Sequence, residues 1–298
     1  MKALWETICS WFRSFVAPPP TTPKVGFLSP VKRQEASDFL TAFEMGLGTS
    51  VPVSVVPKYG DGKYGPGERT LVDLAKELMT GPDTVQVVAA VGGLTCLQAA
   101  VQAANETASR IPIIFISDRD IAHANISGGL VLKMPSYDPQ RVEALRTRYG
   151  ATKVGLLVNL NAVIGPDEKN RWDINWGPVR GVSGPNDHIN LQQAITDLVG
   201  DGATGIVVAS DSFFTSQAAP LVAHLNHTDK PVCYPFQSYK NTNPRPTTGK
   251  SMRYGVDLQD QYKALGKKAR DVLNALIAHP GKIPNVGVDQ ITSTPDYW

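Results

Sequence analysis

The sequence predicts an α/β protein of two lobes, each built on an open parallel sheet. Three observations carry that expectation. Short apolar runs alternate with helical patterns from Lys24 onward. The runs are apolar throughout, as in strands buried on both faces, rather than half polar. The alternation goes round twice in one chain of 298 residues, and domains of about 150 residues make two lobes the natural division.

The first round opens on KVGFLSPV (Lys24 to Val31), a strand. QEASDFLTAFEMGLG (Gln34 to Gly48) then sets Phe39, Phe43, Met45 and Leu47 near helical spacing before a glycine stop. VPVSVVPKY (Val51 to Tyr59) is the second strand and ERTLVDLAKELM (Glu68 to Met79) the second helix. VQVVAAV (Val85 to Val91) is the third strand; the chain breaks at Gly92-Gly93 and resumes as the helix LTCLQAAVQAANETA. IPIIFISD (Ile111 to Asp118) is the fourth strand, and GGLVLKMPSYDP (Gly128 to Pro139) reads as a link to the second round. There PQRVEALRTRYG is a helix ending at Gly150, KVGLLVNL (Lys153 to Leu160) a strand, and DHINLQQAITDLVGDG (Asp187 to Gly202) a helix with Asp187 as N-cap. GIVVASDSFF (Gly205 to Phe214), SQAAPLVAHLNH and PVCYPFQSY follow as strand, helix and strand. The polar tract NTNPRPTTGK (Asn241 to Lys250) is a surface loop. Last comes VDLQDQYKALGKKARDVLNALIAH (Val256 to His279), with Leu258, Tyr262, Leu265, Ala269, Leu273 and Leu276 repeating at three and four residues. These boundaries give residues 24–125 to lobe one, 126–240 to lobe two, and 241–298 to a crossover loop, long helix and tail.

Residues 1–23 read as a separate segment. Leu4, Trp5, Ile8, Trp11, Phe12 and Phe15 form one stripe of an amphipathic helix, and the Pro18–Pro23 run is a stiff linker. Residues 4–16 would lie on a membrane surface, meet a partner or pack on their own domain. Glu6 and Arg13 interrupt the apolar run that a secretory signal needs. No stretch reaches the ~18 apolar residues of a membrane span.

Composition narrows the function. A net charge of +2, from 29 basic and 27 acidic residues, leaves no basic field, so nucleic acid is not an expected partner. Cys9, Cys96 and Cys233 match no CxxC or zinc spacing, and the apolar neighbours of Cys96 and Cys233 predict buried thiols. His123, His188, His224, His227 and His279 form no HExxH pair, and His224 with His227 is a weak metal signal. No GxSxG occurs. The enzymatic alternative is an acid/base pair of Asp118 and Asp211 across a cleft, as in racemase-like two-lobed enzymes. The main expectation is no enzyme, no metal and no cofactor.

Gly92-Gly93 is the most informative break. Ligands of open parallel sheets sit outside the carboxyl ends of the strands, and here a helix begins at such an end. Missing side chains let a ligand approach the N–H groups, and the helix adds its positive end, so an anionic group fits. One helix end contributes about 0.3 to 1 kcal/mol, so several loops have to share the work. The turn lacks the lysine of a P-loop and the spacing of GxGxxG.

KVGFLSP, VGGLTCLQAA, PIIFISD, YGATKVGLLVN and SMRYGVDLQDQYKALGKKARDVL together resemble the ABC-transporter solute-binding proteins of the type I periplasmic-binding fold, over about residues 24 to 292. The nearest branch includes aromatic-amino-acid binders. The most specific pieces are the Gly-Gly-x-Thr turn and Tyr254-Gly255-x-Asp257-Leu258. The resemblance implies two Rossmann-like lobes joined by a hinge, closing on a small polar solute such as an amino acid. It also implies delivery to an ABC permease in the periplasm, with a cytoplasmic ligand sensor or an interaction module as the alternative.

The site that the resemblance implies has two sides. Lobe one supplies Ser29, the carboxylate-receiving turn of Gly92, Gly93 and Thr95, and Ser117 with Asp118. Lobe two supplies Asn159, Asp211, which would meet an amine, and Tyr254, while Tyr137, Phe213 or Tyr234 would stack on a ring. The sequence departs from the family in having no lipobox-like run before Cys9 and in the segment Gly165 to Asp187, which carries Trp172 and Trp176.

Overall fold

The computed structural model describes residues 22–49, 52–60, 70–132, 138–159, 177–182, 187–210, 212–292 and 295–298. The expectations for residues 4–16, Cys9, Tyr137, Trp172, Trp176 and Asp211 lie outside them.

Strand β1 (Lys24–Ser29) shows why the strands read as apolar throughout. Val25 and Phe27 point into one buried cluster with Phe39, Phe43 and Tyr262, whereas Leu28 points into another with Leu71, Leu74, Leu78 and Leu97. Both faces of the sheet are covered, so neither tolerates polar side chains. Around β1 stand β2 (Ser54–Tyr59), β3 (Val87–Ala90), β4 (Ile113–Ser117), β5 (Ile126–Leu132) and β11 (Gly287–Ile291). Their order is β11-β5-β4-β3-β1-β2, and every pairing is parallel. Helix α1 (Arg33–Leu47) lies on the Phe27 face; α2 (Leu71–Thr80), started by a Thr70–Asp73 capping box, and α3 (Leu94–Thr107) lie on the other.

The second sheet repeats the plan. Strands β6 (Val154–Asn159), β7 (Val179–Val182), β8 (Gly205–Val208), β9 (Val232–Tyr234), β10 (Ser251–Tyr254) and β12 (Pro295–Tyr297) take the order β12-β10-β9-β8-β6-β7. All pairings are parallel except the last, where β12 runs against β10. Helix α4 (Asp138–Tyr149) covers one face, and α5 (Asp187–Gly200) and α7 (Ala218–Asn226) cover the other.

Three segments cross between the lobes: after β5, after β10, and between β11 and β12. The crossing after β10 is decisive. Helix α8 (Leu258–Ala278) leaves sheet two and packs on α1 of lobe one. Tyr262 stacks on Phe39 with ring centroids 4.7 Å apart, and Arg270 Nη2 donates to the Gly48 carbonyl at 2.9 Å. Between them the backbones nearly touch: a Cβ at Gly46 would lie 2.0 Å from the Lys263 carbonyl oxygen, and one at Gly266 2.1 Å from that of Phe43.

The differences from expectation have physical causes. The stretch after Gly128, read as a link, is β5, and the lobe-two boundary expected at residue 126 falls beyond that strand. Its glycines serve packing, since a Cβ at Gly129 would meet the Phe115 ring at 2.6 Å. Strand β7 lies within the segment Gly165 to Asp187, where no strand was expected. Strands β11 and β12 are mostly exposed edge strands, so they show no apolar pattern. The strand expected to run to Phe214 ends at Val208, and a short helix α6 (Ser212–Ser216) follows; a 3-10 helix (Gln237–Asn241) replaces the second half of PVCYPFQSY.

Cys96 and Cys233 are free, buried thiols, as expected, and burial pushes the Cys96 thiol far up. No group of three or more His, Cys, Asp or Glu among the described residues is arranged to hold a metal ion.

Gly46→Ala and Gly266→Ala should each destabilise the protein by about 3 kcal/mol, the upper range for forcing atoms into a closed contact. Urea unfolding measures this; a change under about 0.5 kcal/mol, typical of a surface substitution, refutes the backbone contact.

Candidate functional site

In each sheet the strand order reverses at one place, between β1 and β3 and between β6 and β8. In open α/β sheets such a reversal is where a crevice forms at the carboxyl ends of the strands. Ser29 ends β1 and Asn159 ends β6; Gly92-Gly93 follow β3 and Ser210 follows β8. Ser29, Gly92, Gly93 and Asn159 of the predicted set thus stand at corresponding positions of the two lobes, and Ser210 is the described neighbour of the predicted Asp211.

Two different constraints act on the glycine pair. A Cβ on Gly92 would meet Pro30 Cδ at 2.3 Å and Cγ at 2.5 Å, so Gly92 makes room for the β1–α1 loop. Gly93 has open space where its Cβ would be, but its φ of 91° and ψ of −168° lie in a region that only glycine visits readily. Pro30 sits against one glycine. The other faces open space.

The N–H groups at this turn divide into one that is engaged and three that are not. Gly93 N–H donates to the Ile116 carbonyl at 3.1 Å, tying the turn to the end of β4. The first-turn N–H groups of α3, on Leu94, Thr95 and Cys96, have no intrahelical acceptor, and Gly93 as N-cap has no side chain to cap them. The Thr95 side chain is exposed on the same turn. Ser29 is 2% exposed, and its Oγ has no hydrogen-bond partner among the described residues.

Ser117 and Asp118 are engaged locally. Ser117 Oγ donates to Asp118 Oδ1 at 3.3 Å and accepts from Arg119 N–H at 3.3 Å, and the Arg119 guanidinium lies 3.5 Å from Asp118 Oδ2. No helix follows β4, so Asp118 caps none. In lobe two the predicted Tyr254 ends β10 half-buried, and Asn159 is likewise half-buried. Phe213, on α6, is half-buried with its ring edge-on to Phe214. Tyr234 differs: it is fully buried, with its ring stacked on Tyr239 at 5.0 Å and on Trp298 at 5.7 Å. Its ring is closed off from solvent by these neighbours, and burial raises its phenol pKa.

Sequence reasoning missed Arg141. It is 1% exposed; Nε donates to the Tyr254 carbonyl at 2.9 Å and Nη2 to Ser210 Oγ at 3.2 Å. It thereby ties the start of α4 to the ends of β8 and β10. Its position one helical turn before the buried Leu145, on the apolar stripe, was the available signal.

No protein-family model and no curated protein sequence matches the chain. Solved structures do. An ABC domain in complex with L-Trp from Streptococcus pneumonia superposes with a TM-score of 0.65 at 14% identity, over 92% of this chain and 90% of that one. A LacI family transcriptional regulator from Arthrobacter sp. gives 0.63 at 14% identity, over 93% and 97%. An R. palustris solute-binding protein of an ABC transporter, in complex with 4-hydroxybenzoate, gives 0.56 at 16% identity, over 88% and 82%.

The chain has the type I periplasmic-binding-protein-like fold. Two parallel sheets of matching strand order and three crossings between them are what such a fold requires, and every one is present here.

The two glycines should respond differently to a methyl group. Gly93→Ala should cost about 2 kcal/mol from backbone strain alone, and Gly92→Ala about 2 kcal/mol more from the collision with Pro30. Pro30→Ala removes both colliding atoms, so it should rescue Gly92→Ala by about 1 to 2 kcal/mol and leave Gly93→Ala unaffected. Denaturant unfolding of the cycle measures the coupling, and equal rescue of both would contradict the assignment.

Proposed function

We propose that the protein captures a small acidic solute, an amino acid or a related carboxylate, between its lobes and carries out no chemistry on it. The observation that carries this reading is the set of unmet N–H donors on the first turn of α3, at the switch point of sheet one and beside the unpartnered Ser29 hydroxyl. A helix start of this kind favours an anion through both its donors and its dipole. Asn159, Ser210 and Tyr254 end or follow strands at the matching end of sheet two, and in this reading they meet the rest of the solute. Thr95, Tyr137 and Asp211 complete the proposed set, with Asp211 receiving an amine.

Contacts from both lobes form only when the lobes approach, so the ligand's differential affinity shifts the population toward the closed state. The L-Trp and 4-hydroxybenzoate complexes among the fold relatives support a carboxylate bearing an aromatic ring. An ABC permease is the proposed recipient. Similarity to a LacI family regulator supports a ligand sensor as the second reading. Against an acid/base enzyme stands Asp118, whose carboxylate is held by Ser117 and Arg119 in its own loop.

The test is thermal unfolding of the full chain against amino acids, aromatic carboxylates, sugars and nucleosides. A ligand at a hundredfold excess over its Kd stabilises by about 2.7 kcal/mol. Ser29→Ala and Asn159→Ala should each weaken the hit about tenfold, about 1.4 kcal/mol, and Ser29→Ala should leave the ligand-free melting temperature unchanged. Small-angle scattering should show a smaller radius of gyration on binding. A hit indifferent to both substitutions, with no compaction, would sink the reading.

A further inference from the structure

Arg253, on β10 one residue before Tyr254, is half-buried and makes no hydrogen bond or ion pair with any described residue; its Nε is fully buried. The strand register sets it beside Asp296 of β12, but Asp296 accepts a hydrogen bond from Trp298 Nε1 at 3.0 Å. On its other side the register pairs it with Tyr234, whose hydroxyl is also buried without a partner. Two more such atoms, Gln237 Oε1 and Ser238 Oγ, lie on the 3-10 helix that follows β9 and whose Tyr239 stacks on Tyr234. Four orphaned polar groups around the ends of two adjacent parallel strands are costly to keep. The Nε of Arg253, a donor of a charged group buried without an acceptor, is the costliest of them. All belong to the end of sheet two where its ligand crevice opens.

We infer that these groups form a second anion subsite, with Arg253 at its centre, and that the captured solute carries two acidic groups. This rests on the capture reading above. One acid meets the first turn of α3 in lobe one; the other meets Arg253 in lobe two. The guanidinium offers five donors, none of them in use, in a fork that suits a carboxylate, and the Tyr234 hydroxyl can donate beside it. Gln237 Oε1 accepts from a neighbouring hydroxyl or ammonium of the same ligand. Two anion subsites on opposite lobes also make a diacid the ligand that gains most from closure.

Calorimetric titration of the full chain with matched pairs tests this: glutarate against valerate, L-glutamate against L-glutamine, and phthalate against benzoate. At least one diacid should bind ten times or more tightly than its partner. Arg253→Gln should erase that preference while leaving the monoacid affinity unchanged, and Arg253→Lys should keep part of it. Ser29→Ala should weaken both members of the pair equally. The ligand-free melting temperature of Arg253→Gln should equal or exceed that of the wild type, because a buried donor without an acceptor is removed. A lower melting temperature makes Arg253 a structural strut and overturns the inference. So does a diacid preference that survives Arg253→Gln, or no binding by any pair. If instead monoacids bind through Ser29 and Arg253→Gln changes nothing, the capture reading stands and the second subsite falls.

Discussion

The two-lobed arrangement depends on how closely α8 approaches α1. A helix that starts at the end of a lobe-two strand spends its length on lobe one, because Gly46 and Gly266 let the two backbones meet. Aromatic packing of Tyr262 on Phe39 and Phe27 closes the same contact from the side. Once α8 belongs to lobe one, the chain must cross back to finish sheet two with β12, and the third crossing follows from the first two. The apolar cluster on this face includes residues of both lobes, with Val256 and Leu258 of the second crossing among them.

Buried cations secure the ends of these crossings. Arg141 holds the Tyr254 carbonyl where the chain leaves sheet two, and Lys268 holds the carbonyls of Val286 and Gly287 and the Asp289 carboxylate where it re-enters sheet one. Arg270 holds the end of α1. Most of these partners are backbone oxygens, which supply charge-assisted hydrogen bonds without a second charge to desolvate. The segments between these anchored ends are the places where a hinge of this kind would turn.

Much of the fold was legible because buried parallel strands announce themselves. VQVVAAV is apolar in every position that the sheet uses and IPIIFISD in all but the last, Ser117, and the glycine break between Val91 and Leu94 marked the turn into α3. What escaped notice did so for physical reasons. Strands β11 and β12 are edge strands with exposed residues, so burial wrote no pattern into them. Gly128 and Gly129 looked like a linker, although they are glycine because Phe115 and the Gly287 backbone leave no room for a side chain. The use of the Gly93 N–H by Ile116, the role of Pro30 against Gly92, and the closing off of the Tyr234 ring by Tyr239 and Trp298 are tertiary facts with no local signal.

In the proposed reading the two lobes share a strand order but not a recognition chemistry. Lobe one presents backbone N–H groups on a helix start, and these read charge and little else, since every amide offers the same donor. Lobe two presents side chains at the equivalent strand ends: Asn159, Ser210, Tyr254 and the unpartnered Arg253. Side chains differ in shape, donor count and charge, so they can reject ligands as well as attract them. In the proposed reading lobe one, with its helix start and the Ser29 and Thr95 hydroxyls, is therefore suited to general capture of an acid, and most of the discrimination between one acid and another comes from lobe two.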